Sequence, residues 1–348
     1  MPIVTTEHFK SGNLPLSKNG IPQVSEDDYC RLKGYMLETD DIVFSRVGSV
    51  DINAHVEYVQ QGWLFSGRVL RVRPIKSVNS LCLHYVLSTE SVKRDIRNRA
   101  VGQTMPSINT PILSNTGIYM SQSETEQKKI ANLLSLIDER IATQSKIIED
   151  LKKLKSAIIE KLYSEIQGKE YSYRQLFDVV NERNKQMEYS NILSASQEKG
   201  MINRDDLNLD IQFERSNINT YKIVRAGDYV IHLRSFQGGF AFSDKSGVCS
   251  PAYTILRPNS FLEYSYLSNY FTSQRFIKSL IIVTYGIRDG RSINVDEWLS
   301  MKITIPSKEH QQYIVKMIWS FDRKIESEEA YTILLSKQKQ YILRQMFI

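Results

Sequence analysis

The chain is poor in the residue groupings that most enzyme signatures require. Its three cysteines, Cys30, Cys82 and Cys249, are an odd number with no CxxC pair, which argues against a thiolate metal knuckle and leads us to expect three buried, reduced thiols. The five histidines (His8, His55, His84, His232, His310) are scattered, and there is no HExxH pair. Neither GxxxxGK[ST] nor GxGxxG is present to cradle a phosphate, and there is no GxSxG elbow. Nucleotide hydrolysis and serine-hydrolase chemistry are therefore not expected. No cluster of Asp, Glu and Lys has the spacing of a two-metal nuclease. No apolar run approaches the ~20 residues of a membrane span, and the first residues lack a signal-peptide profile, so a cytoplasmic location without a membrane partner is expected.

Charge of one sign is also in only slight excess. There are 45 basic residues against 39 acidic ones, giving +6 and a pI near 9.0. This balance admits a polyanionic partner and tilts toward nucleic acid. With 348 residues, 41% of them apolar, the chain has enough material for two domains with real cores plus connectors.

Glycine and proline are absent from two long stretches. The first, EQKKIANLLSLIDERIATQSKIIEDLKKLKSAIIEKL, runs from Glu126 to Leu162. Ile130, Leu134, Ile137, Ile141, Ile148, Leu151, Ile158 and Leu162 form one narrow apolar stripe, with Gln144 and Lys155 at its two polar seam positions. Such a helix cannot wrap a core and needs a partner helix alongside it. The partner is found by shifting the numbering by 184. Gln127 then meets Gln311, Ile130 meets Ile314, Ile137 meets Phe321, Asp138 meets Asp322, Ile141 meets Ile325, Lys155 meets Lys339 and Ile158 meets Ile342, without a gap. Ile130, Ile137, Ile141, Leu151, Ile158, Ile314, Phe321, Ile325 and Ile342 are thus the helix-pairing candidates. Glu328 and Thr332 interrupt the second stripe, so a looser middle is expected.

The segments before the two helices repeat as well. Each has an acidic turn before a buried strand (TDDIVFSR at Asp41, AGDYVIHLR at Asp228), then a strand ending in Arg-Pro (RVLRVRP, AYTILRP), then a helix and a polar loop. Both aspartates read as turn residues. Two loops in each segment carry more specific chemistry. Arg46, Gly48 and Ser49 follow the first buried strand, and Arg234, Ser235 and Gln237 follow the second. The loops before the long helices add Thr104 and Asn109, and Arg288 and Arg291. Arg and Gln pair with base edges, while Ser and backbone amides suit phosphates, so these ten residues are the DNA-contact candidates. Trp319 and Phe321 are the large apolar residues on the second helix that could contact a partner subunit, although core packing is the role expected first of both.

Together the GDYVIHLRSFQGG, SGVCSPAYTILRP, EQKKIANLLSLIDERI and LKKLKSAIIEKL segments resemble the specificity subunit of type I restriction-modification systems, over nearly the whole chain. The resemblance implies a mixed α/β fold with two pseudo-repeated target-recognition domains, residues 1–122 and 169–306. Two helical spacers, residues 123–168 and 307–348, would pack between them as an antiparallel coiled coil. It further implies a non-catalytic subunit that reads a bipartite site in double-stranded DNA and directs adenine methylation and cleavage by partner subunits. Those partners are methylation (M) subunits and restriction (R) subunits. No cofactor is expected in this chain; S-adenosylmethionine, ATP and Mg would sit on the partners. A helix of about 37 residues is about 55 Å long, suited to a fixed spacer.

The first domain departs from the family pattern: it matches the second only from about Ile192 onward, as though roughly twenty opening residues were absent. Lower stability of the first domain is therefore expected, and an inactive, truncated subunit is one alternative reading. Others are a coiled-coil interaction protein and a self-sufficient nuclease.

Overall fold

The computed structural model describes residues 1–196, 199–206, 215–232, 239–285 and 292–347. The chain divides into two compact units, Met1–Lys146 with Glu329–Ile348, and Ile147–Glu328.

In the first unit the run Ile42–Ser45 (β2), apolar up to its last residue, is buried at every position and forms the centre of a three-stranded antiparallel sheet. It lies between Asn53–His55 (β3) and Val69–Val72 (β5). A continuous apolar strand is what burial on both faces selects. A separate parallel pair joins Ile3–Val4 (β1) to Leu64–Phe65 (β4). Helices Ser80–Leu87 (α1) and Glu90–Arg99 (α2) follow, the first capped by Asn79. In α1 seven of the eight residues are buried, among them Tyr85, while α2 buries only Val92 and Ile96.

The second unit repeats this plan with an extra strand. Tyr229–Ile231 (β8) is the buried centre, flanked by Phe240–Phe242 (β9) and Thr254–Pro258 (β10), and Phe177–Val180 (β7) pairs with the outer edge of β10. Lys169–Ser172 (β6) pairs with Lys302–Ile305 (β11). Its core is aromatic: Tyr173 stacks on Trp298 at 4.2 Å, beside Phe177, Tyr229, Phe240 and Phe271.

The two units share the polar ties that hold their elements in place. Asp41 and Asp228, 1% and 2% exposed, sit in the turns that their sequence context suggests. Each carboxylate accepts a backbone N–H across its turn, from Glu38 and Arg225 respectively, at 2.8 Å. Each also takes both Nε and Nη2 of an arginine, Arg73 at 2.7 and 2.8 Å and Arg257 at 2.9 and 2.9 Å. These arginines are the ones that precede the prolines of the Arg-Pro strand ends. The planar fork fits the carboxylate, and the hydrogen bonds to the aspartates push both guanidinium pKa values up.

The long helices run Glu124–Ser164 (α3) and Lys308–Met346 (α4). At their starts, Gln127 and Gln311 are 2% and 1% exposed. Gln127 accepts from the N–H of Asn79 at 2.7 Å and donates to the carbonyl of Ser121. Gln311 accepts from the N–H of Glu263 at 2.8 Å and donates to the carbonyls of Phe261 and Pro306. Asn79 and Glu263 are related by the same offset of 184 as the glutamines.

Each unit contains half of each helix, paired antiparallel. In the first unit Leu134 and Ile130 pack with Leu343 and Ile342, and Lys339 Nζ lies 2.6 Å from Asp138. In the second, Ile159 joins the cluster of Ile314 and Ile318, and Lys155 Nζ lies 2.5 Å from Asp322. Each copy's seam lysine therefore meets the other copy's aspartate. Ile314 and Ile325 are buried, and Ile130, Ile137, Ile141, Leu151, Ile158, Phe321 and Ile342 are half-buried.

Two expectations are corrected. Trp319 is 60% exposed, with the Arg323 guanidinium 5.2 Å above its ring, because it falls one residue past buried Ile318 and off the stripe. Cys30 is exposed, on the helix Glu26–Arg31 that buries none of its residues. Cys82 and Cys249 are buried, which raises their thiol pKa to about 11 and about 12 and keeps both unreactive.

Candidate nucleic-acid interface

Three segments of the first unit meet beyond the end of β2. The N–H of Arg46 donates to the carbonyl of Arg68, the N–H of Ile108 donates to the carbonyl of Arg46, and Val47 bridges to Ser107. Gly48 has φ +83°, a backbone region that side chains disfavour, and its N–H donates to the carbonyl of Pro106 at 2.8 Å. The two loops singled out in the sequence, 46–49 and 101–109, are thus stitched into one surface, which the end of β2 and the turn before β5 present together.

Arg46 is exposed and reaches the carbonyl of Gly67 with one Nη at 3.3 Å, leaving the rest of its fork toward solvent. Gly48, Ser49 and Thr104 are exposed beside it. A shallow cleft of about 340 Å³ is lined by Arg46, Val47, Gly67, Val101, Ser107 and Asn109, among others. Asn109 has a structural task, since its Oδ1 accepts from the N–H of Ile112 at 2.9 Å and caps the helix Thr110–Ser114. Its amide nitrogen and the second lone pair of Oδ1 are left for a ligand. Asn294 caps Val295–Ser300 in the same way in the second unit.

Arg68 is a member of the surface that sequence reasoning missed. It is exposed next to Arg46, in the turn ahead of β5, where a lone arginine carries no sequence signal that could have found it. Exposed Val101 and Met105, 65% and 66%, add apolar area at the loop tip. Among the described residues neither Arg46 nor Arg68 has an ion-pair partner, so both charges face outward. Two guanidiniums beside backbone amides and hydroxyls can hold phosphates and read base edges. No group of His, Cys, Asp and Glu among the described residues could hold a metal ion.

In the second unit Arg234, Ser235, Gln237, Arg288 and Arg291 lie outside the described residues. Their flanks are described. His232 N–H donates to the Gly239 carbonyl at 2.8 Å, closing the hairpin of β8 and β9, and the N–H of Asn294 donates to the Val283 carbonyl at 2.9 Å. No helix among the described residues is long and apolar enough to cross a membrane.

The family model described as "Type I restriction modification DNA specificity domain" matches residues 1–153 and 168–335. The chain is 24% identical to a candidate type I restriction enzyme MjaX specificity subunit of Methanocaldococcus jannaschii, over 98% of this chain and 85% of that one. It is 25% identical to the type I restriction enzyme MjaVIII specificity subunit of the same organism, over 82% and 73%. Two solved structures share the fold. One, from work on complex assembly and conformational transition of the type I R-M system, has a TM-score of 0.60 at 13% identity, covering 89% of this chain and 82% of that one. The other, the type I restriction-modification S subunit from M. genitalium, has a TM-score of 0.53 at 15% identity, covering 90% and 84%. With both of its repeated segments matched by the family model, the chain belongs to the type I restriction-modification DNA specificity family.

Proposed function

We propose that the chain is the DNA sequence-recognition subunit of a type I restriction-modification complex, acting in the cytoplasm without catalytic chemistry of its own. Each unit reads one half of a bipartite site in double-stranded DNA, through the loop surface that carries Arg46, Arg68, Gly48 and Ser49 in the first and its counterpart in the second. Methylation subunits, supplying S-adenosylmethionine chemistry to adenine, and restriction subunits, using ATP and Mg, take their target from it.

The observation that carries this reading is the doubled frame: two units with the same aspartate–arginine turn, the same buried glutamine and the same lysine–aspartate seam pair. A doubled frame with different loops is what reading two unlike half-sites requires, and linking the two raises avidity through effective concentration. Binding of duplex DNA carrying the target, measured from low to high salt, tests it. Phosphate contacts make affinity fall steeply and linearly on a log–log plot. A flat dependence would favour the coiled-coil interaction protein instead.

A further inference from the structure

In the first unit the seam ion pair is covered by an aromatic side chain. Tyr85, 2% exposed, donates its hydroxyl hydrogen to Oδ2 of Asp138 at 2.9 Å, and its ring centre lies 5.2 Å from the Lys339 ammonium. Burial and the Asp138 carboxylate push the phenol pKa up, so the hydroxyl stays a donor. Leu134 and Leu343 pack against the same ring.

The offset of 184 continues through this neighbourhood. Thr89 and Ser273 are both helix N-caps, Leu83 and Leu267 are both buried, and so are Leu87 and Phe271. Tyr85 therefore corresponds to Asn269. In the second unit, among the described residues, Asn269 donates its side-chain amide only to the adjacent Ser268 hydroxyl, at 3.3 Å. Lys155 engages Oδ1 of Asp322, and among the described residues Oδ2 has no hydrogen-bond partner. Where Tyr85 stands in the first unit, a cleft of about 860 Å³ opens in the second, lined by Lys155, Tyr266, Asn269, Ile318, Trp319 and Asp322, with others. Tyr266 is 1% exposed, and its hydroxyl has no hydrogen-bond partner among the described residues.

We propose that this cleft is a socket for a tyrosine side chain supplied in trans by a partner protein. The sister unit names the occupant, since a phenol is what satisfies the same lysine–aspartate pair there. Its hydroxyl would donate to Oδ2 of Asp322, and its ring would lie beside the Lys155 ammonium, a favourable cation–π arrangement. Exposed Trp319 forms an aromatic rim of the kind that anchors protein interfaces. The socket's chemistry stands on geometry alone, and only the choice of the methylation subunit as the partner to be tested rests on the proposed function.

Full-length chain is titrated with p-cresol, the tyrosine side-chain analogue, and with toluene, while the thermal midpoint is followed. A saturable rise with p-cresol, absent with toluene, is expected. Asn269→Tyr should raise the midpoint by about 2–4 °C, abolish the p-cresol response and weaken retention of the co-expressed methylation subunit on the order of tenfold, about 1.4 kcal/mol. Asn269→Ala, which leaves the cleft open, should keep the response and serves as the second variant should the tyrosine variant not fold. No saturable rise, an equal rise with toluene, or an undiminished response in Asn269→Tyr overturns the socket. Equal retention of the methylation subunit by wild type and Asn269→Tyr overturns the partner. A wild-type chain that retains no methylation subunit counts against the specificity reading, and the p-cresol titration then decides the socket by itself.

Discussion

The first unit builds its sheet from three strands and divides its core into clusters around Phe9 and Trp63, Phe44 and Ile96, and Tyr85, whereas the second adds β7 to make four strands and fills its three clusters differently, a large aromatic one around Phe271 and Trp298 and two aliphatic ones around Val230 and Ile223. What they keep in common is polar and directional: Asp41–Arg73 with Asp228–Arg257, Gln127 with Gln311, Lys339–Asp138 with Lys155–Asp322. The difference teaches that the shared frame is fixed by hydrogen-bonded ties at element junctions. Apolar filling is interchangeable as long as volume is conserved, whereas a buried polar tie tolerates little change because its partner is left unsatisfied.

Breaking the ties should therefore act alike in both units. The largest effect is expected from Arg73→Met and Arg257→Met, each of which strands a buried aspartate. Both guanidiniums are partly exposed, which lowers the cost below that of a fully buried pair, to about 2–4 kcal/mol of local stability. Native-state hydrogen exchange on the full chain, read unit by unit, measures it, and a loss confined to one unit would mean that the frame is not shared.

Lowering the pH should separate the units instead. His84 is buried in the first unit, donates its Nδ1–H to Asn53 Oδ1 at 2.6 Å, and has its pKa pushed down to about 3, first by burial and then by His55, Lys339 and Lys93. Burial lowers His55 beside it as well, against the pull of Asp40. The unfolded chain takes up a proton near pH 6.5 that folded His84 refuses, so its contribution is fully present above that pH and is lost as pH falls toward 3. From pH 7 to 5 this amounts to roughly 2 kcal/mol. In the second unit Ser268 occupies the corresponding position, and its one lowered histidine, His232, is shifted by burial alone. Exchange protection measured across that range should fall further in the first unit; equal losses would place the acid sensitivity elsewhere.

Gln127→Ala and Gln311→Ala should each cost about 1–2 kcal/mol, since buried backbone groups lose their partners. Protection of the Asn79 and Glu263 amides is the direct readout, and unchanged protection at either would remove that tie from the shared frame. The smallest expected effect is that of Arg46→Ala, which leaves stability unchanged and lowers the salt slope of DNA binding by about one if Arg46 contacts a phosphate; an unaltered slope and sequence preference would remove Arg46 from the interface.

Much of this was legible in the sequence because the signals are periodic. The 4-3-4 stripe marked the side of each helix that is covered, and the same stripe placed Trp319 outside it, a consequence overridden by the residue's size. The repeat displayed Asp138, Asp322, Lys155 and Lys339 as equivalent pairs, yet an offset says nothing of partners; antiparallel packing joins each lysine to the aspartate of the other copy. The Arg-Pro strand ends and the acidic turns were visible as separate motifs, and only strand pairing brings their side chains together. At the candidate interface, loops 46–49 and 101–109 were readable as donors, whereas the capping role of Asn109 went unread, although Asn before Thr-Pro is a cap signal. Arg68 was not readable, since a lone arginine between turn and strand carries no pattern until β5 sets it beside Arg46.

The most direct measurement is the map of methylated adenines in cells that carry this chain with its methylation subunit, compared with the map for Arg46→Ala together with Arg68→Ala. A bipartite motif is expected, two short sequences separated by a fixed unread gap, in which the double substitution relaxes one half and leaves the other and the gap unchanged. An uninterrupted motif, or relaxation of both halves at once, would contradict the assignment of one half-site to each unit.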